Sequence, residues 1–181
     1  MRSDVFALIA APAVLALALG GCAVERTVLE DSAVDVYPTY EAELDFWDEL
    51  ATRPVVTNSD ALYGLLLLSG EASPPAEYEG RVAAARARGW MGGEDAPPMN
   101  ASAEVGLIAV AVCDILDLEG GLTMRVFGPS GRYCTRELVY REYIPRRTQY
   151  QSLSGLEFID LLSRVEEDTR PAPEEEAETG T

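Results

Sequence analysis

Residues 151–167 read QSLSGLEFIDLLSRVEE. Ser154 stands three places before Glu157, the spacing of a capping box: the serine oxygen accepts from one free amide of a helix start and the acid from another. Phe158, Ile159 and Leu162 follow on a helical period and face a core. Residues 55–68, VVTNSDALYGLLLL, and 99–112, MNASAEVGLIAVAV, share this plan. Each opens on a hydroxyl residue, Thr57 or Ser102, and continues as an apolar helical run.

The same reading extends outward. PTYEAELDFWDELAT, 38–52, opens with Pro38, a good first-turn residue, and spaces Tyr40, Leu44 and Trp47 along one helical face. Thr57 and Asp60 form a capping box with a shorter acid, and Leu62, Leu65 and Leu66 follow. PPAEYEGRVAAARARGWMGG predicts a helix from about Tyr78 that stops at Gly92-Gly93. ASAEVGLIAVAVCDILDLEGG predicts another that ends at Gly120-Gly121, and PSGRYCTRELVYREYIP one closed by Pro145. TMRVF, 123–127, reads as a short strand or extended crossing. No alternating stretch is long enough for a sheet. The expected fold is all-α, a compact array of about six helices.

Charge divides the chain. It has 31 acidic and 14 basic residues, no His and a net charge of −17. Every cation is Arg. Such a balance argues against nucleic acid and against attraction to an anionic membrane. Lacking His, the chain lacks the commonest general base and the commonest zinc ligand. The acidity concentrates in residues 25–50 and 166–181, leaving the middle nearly neutral. RPAPEEEAETGT, 170–181, carries no apolar payload and reads as a disordered acidic tail.

The N-terminus, MRSDVFALIAAPAVLALALGGC, has one Arg and then an apolar stretch from Val5 to Leu19. A membrane span needs about 20 apolar residues; this shorter run suits an export signal. Leu19-Gly20-Gly21-Cys22 resembles the lipobox of bacterial lipoproteins, in which the Cys thiol receives diacylglycerol and becomes the new N-terminus. That resemblance implies lipidation at Cys22, with an uncleaved hydrophobic helix or an ordinary export signal as the alternatives. Ala23 after the Cys implies an outer-membrane destination under enteric sorting, facing the periplasm or the cell surface. The expected organisation is a signal peptide over 1–21, an acylated Cys and tether over 22–37, a helical domain over 38–167 and a tail over 168–181.

Export leaves Cys113 and Cys134 in an oxidising compartment. A bridge there closes a loop worth ~3 kcal/mol on the chain-entropy estimate. Two separate buried thiols acting as small hydrophobes are the other reading. No C-x-x-C pair suggests thiol catalysis.

Aligning RGWMGGEDAPPMNASAEVGLIAVAV with REYIPRRTQYQSLSGLEFIDLLSRV pairs Arg88 with Arg141, Met91 with Ile144, Ser102 with Ser154 and Leu107 with Ile159. Thr57 opens a third copy of the second half. This pattern resembles the S-layer homology domain of bacterial envelopes, with roughly two repeats over 55–165. The resemblance implies a repeated helix frame. The family's polysaccharide-binding Arg falls here on Asn58, Ala103 and Gly155, and its acid on Asp60, Val105 and Glu157. No copy retains the Arg, so the family's ligand does not carry over. A hydroxyl cap followed by an acid also opens many unrelated helices, at about 1 kcal/mol per cap and with no function implied.

Catalytic motifs are lacking. Without His or Lys, neither a Ser-His nor a Ser-Lys nucleophile can be assembled. DLEGGL lacks the alternating oxygens of a calcium loop, and no Gly-rich stretch has P-loop spacing. The sequence calls for no catalytic residue, metal or cofactor. The unusual segment is 125–147, where Arg125, Arg132, Arg136, Arg141, Arg146 and Arg147 outnumber Glu137 and Glu142. Tyr133, Tyr140, Tyr143 and Tyr150 are interleaved with them. Arg suits bidentate gripping of carboxylate or phosphate. The candidate binding residues are therefore Arg125, Arg132, Arg136, Arg146, Arg147, Tyr140 and Tyr143. Pairing with the protein's own acids, Glu174–Glu176 included, and a merely solvated face are the competing readings. The expected function is a lipid-anchored, non-catalytic module for an anionic envelope polymer or another envelope protein. The alternative is a small carboxylate-dependent envelope hydrolase.

Overall fold

A computed structural model describes residues 26–38, 42–119, 124, 126 and 128–170. Cys22, Tyr40, Arg125 and the tail from 171 onward lie outside these residues. The fold is all-α. The helices are α1 (Ala33–Val36), α2 (Glu43–Thr52), α3 (Asn58–Leu68), α4 (Tyr78–Ala87), α5 (Val105–Ile115), α6 (Gly131–Tyr140) and α7 (Gly155–Thr169). Among the described residues, extended pairing is confined to two isolated antiparallel bridges, Val28 with Ala101 and Thr57 with Ser102. Met124 and Val126, expected in an extended segment, are helical.

Helices α3, α5 and α7 are central, and their first turns are joined in a ring. The first N–H groups of a helix have no partner within it. Here each helix finds them on the segment leading into the next. Asn58 N–H donates to the Ala101 carbonyl at 2.9 Å, Val105 N–H to Gln151 at 2.8 Å, and Gly155 N–H to Arg53 at 3.0 Å. Two further bonds tie the lead-in segments together: Val56 N–H to Leu153 at 2.9 Å and Ala103 N–H to Val56 at 2.8 Å. Leucines and valines behind these turns form one core that includes Leu62, Leu65, Ile108, Val112, Phe158 and Leu161.

The outer helices α4 and α6 repeat each other at their ends. After α4, Gly89 turns left-handed at φ +76° and Trp90 N–H reaches back to the Ala85 carbonyl. After α6, Glu142 does the same at φ +64°, with Tyr143 N–H bonded to Leu138. Both are the C-terminal motif in which a left-handed residue lets later amides satisfy the last carbonyls. Arg88 and Arg141 thus occupy equivalent capping positions, as their alignment in sequence anticipates.

Several boundaries differ from expectation. Thr57 and Ser154 cap α3 and α7, and the full capping box of Ser154 and Glu157 is present. Ser102 caps nothing: α5 begins two residues after Ala103, at Val105, with Glu104 as an N-cap whose side chain accepts no helix amide. Its start is set by the Gln149 and Gln151 carbonyls, which accept from Gly106 and Val105. The middle copy therefore shifts, and Val105 replaces Ala103 at the position matching Asn58 and Gly155. Helix α4 stops at Gly89 rather than Gly92-Gly93, α5 at Asp117 with φ 48°, and α6 at Glu142 well before Pro145. In α2 the buried face is Phe46 and Leu50, whereas Leu44 is 80% exposed. Phe46 turns inward to make edge contacts with Tyr63 and Trp47. Asp168 and Thr169, expected in the tail, form the last turn of α7.

Residues 26–37, expected within the tether, pack on the domain. Ala33 and Val34 are fully part of the core. Ser32 Oγ lies 2.8 Å from Thr57 Oγ1 and from Asn100 Oδ1, and Val34 N–H donates to Asp60 Oδ1 at 2.9 Å. Asp60 is fully buried. Burial pushes its carboxyl up, opposed by hydrogen bonds from Val34, Thr57 and Ala33 and by the charge of Arg53. Buried Arg81 lies in the same polar layer, donating to Ser59 Oγ at 2.7 Å.

Candidate functional site

The ring of helix starts is the first place to look for an anion site, because free N–H groups and the helix dipole favour negative charge there. Its donors are already used. Asn58, Ser59, Val105, Gly106 and Gly155 all give their N–H groups to backbone carbonyls. Asn58 Nδ2 also bonds the Pro98 and Ala101 carbonyls. This ring holds the fold together, and these amides are not free to bind an anion.

The larger opening lies at the far end of α6. A groove of about 880 Å³ runs between the end of α6, the 142–147 loop and the middle of α7. Ile144 and Pro145 give it an apolar portion, and Arg136, Tyr140, Tyr143, Arg146, Arg147, Glu142, Asp160 and Arg164 supply its polar walls. The left-handed turn at Glu142 ends α6 and sends the loop across to α7. Without that turn, the helix would continue to Pro145 and the groove would not form.

The cations in the groove are not equivalent. Arg164 Nε donates to Asp160 at 3.1 Å and its Nη1 to the Glu142 carbonyl at 3.2 Å. Arg147 is paired with Glu157 and donates to the Ser152 carbonyl at 3.2 Å. Burial raises the Glu157 carboxyl, but hydrogen bonds from Ser154 and Arg147 outweigh it, leaving the group below its ordinary value. Arg147 therefore belongs to the capping network of α7. Arg136 and Arg146, by contrast, are exposed and have no ion-pair or hydrogen-bond partner among the described residues. Tyr140 beside them is 83% exposed. Tyr143 is turned into the wall, its hydroxyl donating to Asp168. Burial, then that carboxylate, push its phenol up to about 12.

Five of the seven candidate residues, Arg136, Tyr140, Tyr143, Arg146 and Arg147, are brought together here. Arg132 is exposed on α6 but does not line the groove, and Arg125 falls outside the described residues. Arg141 turns away to bond Glu137 at 2.8 Å, the helical pair its spacing suggests. Arg164 was missed. It comes from another helix, and a lone Arg in an i, i+4 pair with Asp160 gives no local signal of a groove.

Cys113 on α5 and Cys134 on α6 are free thiols, both buried. The neighbouring Cys134 thiol and burial push the Cys113 thiol well above its ordinary range. Close packing of Gly106 against Gly131 brings these helices together: a Cβ built on Gly131 lies 3.1 Å from Gly106 Cα. Among the described residues, no group of three His, Cys, Asp or Glu side chains is arranged to hold a metal ion. No described helix is long and apolar enough to cross a membrane.

No protein-family model matches the chain, and no curated protein or solved structure matches it either.

Proposed function

We propose that this chain is an exported lipoprotein, anchored through Cys22, whose helical domain binds an anionic envelope polymer or the acidic surface of an envelope protein. The groove beside α6 and α7 is the binding site. One observation carries the reading: in a chain of net charge −17, Arg136 and Arg146 stand exposed without acidic partners among the described residues, next to exposed Tyr140. An acidic protein neutralises most of its few cations internally, as Arg53, Arg88, Arg147 and Arg164 illustrate. Two guanidinium groups left open can grip carboxylate or phosphate bidentately, and a tyrosine face can stack on a sugar or peptide plane. The function is binding rather than hydrolysis. Of the two carboxylates in the groove, Asp160 is already held by Arg164, which leaves Glu142 without a free acid partner.

The repeated helix frame, resembling S-layer homology modules, supports an envelope role; Leu19-Gly20-Gly21-Cys22 supports the lipid anchor, and Ala23 after it supports an outer-membrane destination, facing the periplasm or the cell surface. Replacing Cys22 with Ala is expected to move the protein from the membrane fraction to the soluble fraction. Unchanged membrane fractionation of the processed variant overturns the anchor.

The binding site has its own test. Reversing both unpaired cations of the groove, Arg136→Glu with Arg146→Glu, is expected to weaken retention on purified carboxylate-bearing envelope polysaccharide by at least about tenfold, roughly 1.4 kcal/mol. Binding of the unaltered protein should also weaken as salt rises, because exposed charges are screened over about 10 Å at 0.1 M. Equal retention of the variant and the parent removes the groove from consideration.

A further inference from the structure

The chain between the lipid and the domain is short. Arg26 is the first described residue, and it is held in place by an ion pair with Glu104, the N-cap of α5. The strap that follows is stitched to the domain residue by residue. Ser102 N–H donates to the Thr27 carbonyl at 2.8 Å, and Leu29 N–H to Asn100 at 3.0 Å. Asn100 Nδ2 returns a bond to the Glu30 carbonyl at 3.0 Å, and Arg53 forms an ion pair with Asp31 at 2.8 Å. Buried Ala33 and Val34 then lock the strap into the core. Releasing it to lengthen the tether would break these bonds and expose apolar surface.

We infer that the face carrying Arg26, Val28 and Glu104 lies directly against the zwitterionic headgroups of the bilayer that holds Cys22. This rests on the lipid anchor proposed above and adds the orientation of the domain. The peptide steps from Cys22 to Arg26 span at most about 14 Å when fully extended. The surface around Arg26 is therefore confined within that distance of the acylated residue. Val28, 66% exposed and apolar, stands two residues beyond Arg26. Beside it, Arg26 and Glu104 neutralise each other.

The opposite end of the fold is placed by the same geometry. The strap bonds to the segment leading into α5, in the ring of helix starts, and α7 runs away from that ring. Glu167 sits about 18 Å further along α7 at 1.5 Å per residue. A compact domain of this size is about 40 Å across. A partner must then come within roughly 50 Å of the membrane to reach any part of it. The protein works at the membrane surface and does not reach far into the surrounding space.

The test uses the full acylated chain in phosphatidylcholine vesicles that carry a nitroxide on a fraction of their headgroups. A fluorophore is attached at Val28→Cys or at Glu167→Cys; Cys22 is acylated and the two native thiols are buried. The expected result is severalfold stronger quenching at position 28 than at 167. A Gly-Ser spacer of about 20 residues inserted between Glu25 and Arg26 has a root-mean-square length of about 25 Å and should erase most of that difference. Equal quenching at the two positions in the chain without the spacer overturns the orientation while leaving the anchor intact. Failure of the acylated chain to bind vesicles overturns the anchor, and the orientation with it.

Discussion

Gly155→Ala is expected to destabilise the domain by at least about 3 kcal/mol, a large effect for one methyl group. A Cβ built on Gly155 lies 1.6 Å from the Leu50 carbonyl oxygen and 2.7 Å from the carbonyl carbon. Both obstacles are backbone, so no side-chain rotation relieves the overlap. The end of α2 must separate from the start of α7. That movement stretches the Gly155–Arg53 bond and the neighbouring Val56–Leu153 bond, two of the links that close the ring. Gly92→Ala is the control, because a Cβ there meets nothing within 4 Å and its φ is unremarkable. It should stay within about 0.5 kcal/mol of the parent. Urea denaturation followed by circular dichroism measures both, and a Gly155→Ala midpoint equal to that of Gly92→Ala would sink the argument.

The same contact bars any side chain at this position, because the Leu50 carbonyl occupies the space a Cβ would need. Gly155→Arg should therefore be at least as damaging as Gly155→Ala. The third helix start is shaped for packing, and the open cations lie elsewhere, at Arg136 and Arg146.

Arg81→Ala is the second large effect, expected at about 3–5 kcal/mol. Arg81 is 1% exposed, yet it is surrounded by polar groups. Its Nη1 donates to the Pro75 carbonyl at 2.9 Å and the Ala76 carbonyl at 2.6 Å, and its Nη2 to Ser59 Oγ. Asp35 lies 4.0 Å away. Desolvation lowers the guanidinium pKa, while Asp35 and Asp60 oppose that shift. Truncation opens a cavity and also leaves buried acceptors without donors, each costing about 1–3 kcal/mol. Arg81→Met separates these terms. It keeps most of the volume and loses every hydrogen bond, so it should fall between the parent and Arg81→Ala. If Arg81→Met matches the parent in thermal unfolding, the polar layer contributes nothing and only volume matters.

Residues whose structure depends on near neighbours were legible. Thr57 and Ser154 cap helices because their side chains reach amides three residues on, and that spacing is written in the chain. Leu62, Leu65 and Leu66 of α3 are buried as their period suggests. Ser102 shows where this fails. It has the local form of a cap, but α5 begins where Gln149 and Gln151 offer carbonyls from a distant segment. The face of α2 was misread for the same reason, since Phe46 and Leu50 are selected by Tyr63 and α7 rather than by the helix itself.

The candidate site divides along the same line. The concentration of Arg and Tyr in 125–147 marks a basic segment and a candidate surface, because charge in an acidic chain is visible without a fold. Which of those cations remain free is a tertiary matter. Arg147 is withdrawn by Glu157, Arg141 by Glu137, and Arg164 arrives from α7. The sequence by itself determined the all-α class, the two soundly capped helices and the basic segment, all properties of residues within a few positions of one another. Only the tertiary structure decided the start of α5, the exclusion of a side chain at Gly155 and the pair Arg136 and Arg146 left open. Each of those depends on backbone or charge supplied from a remote part of the chain.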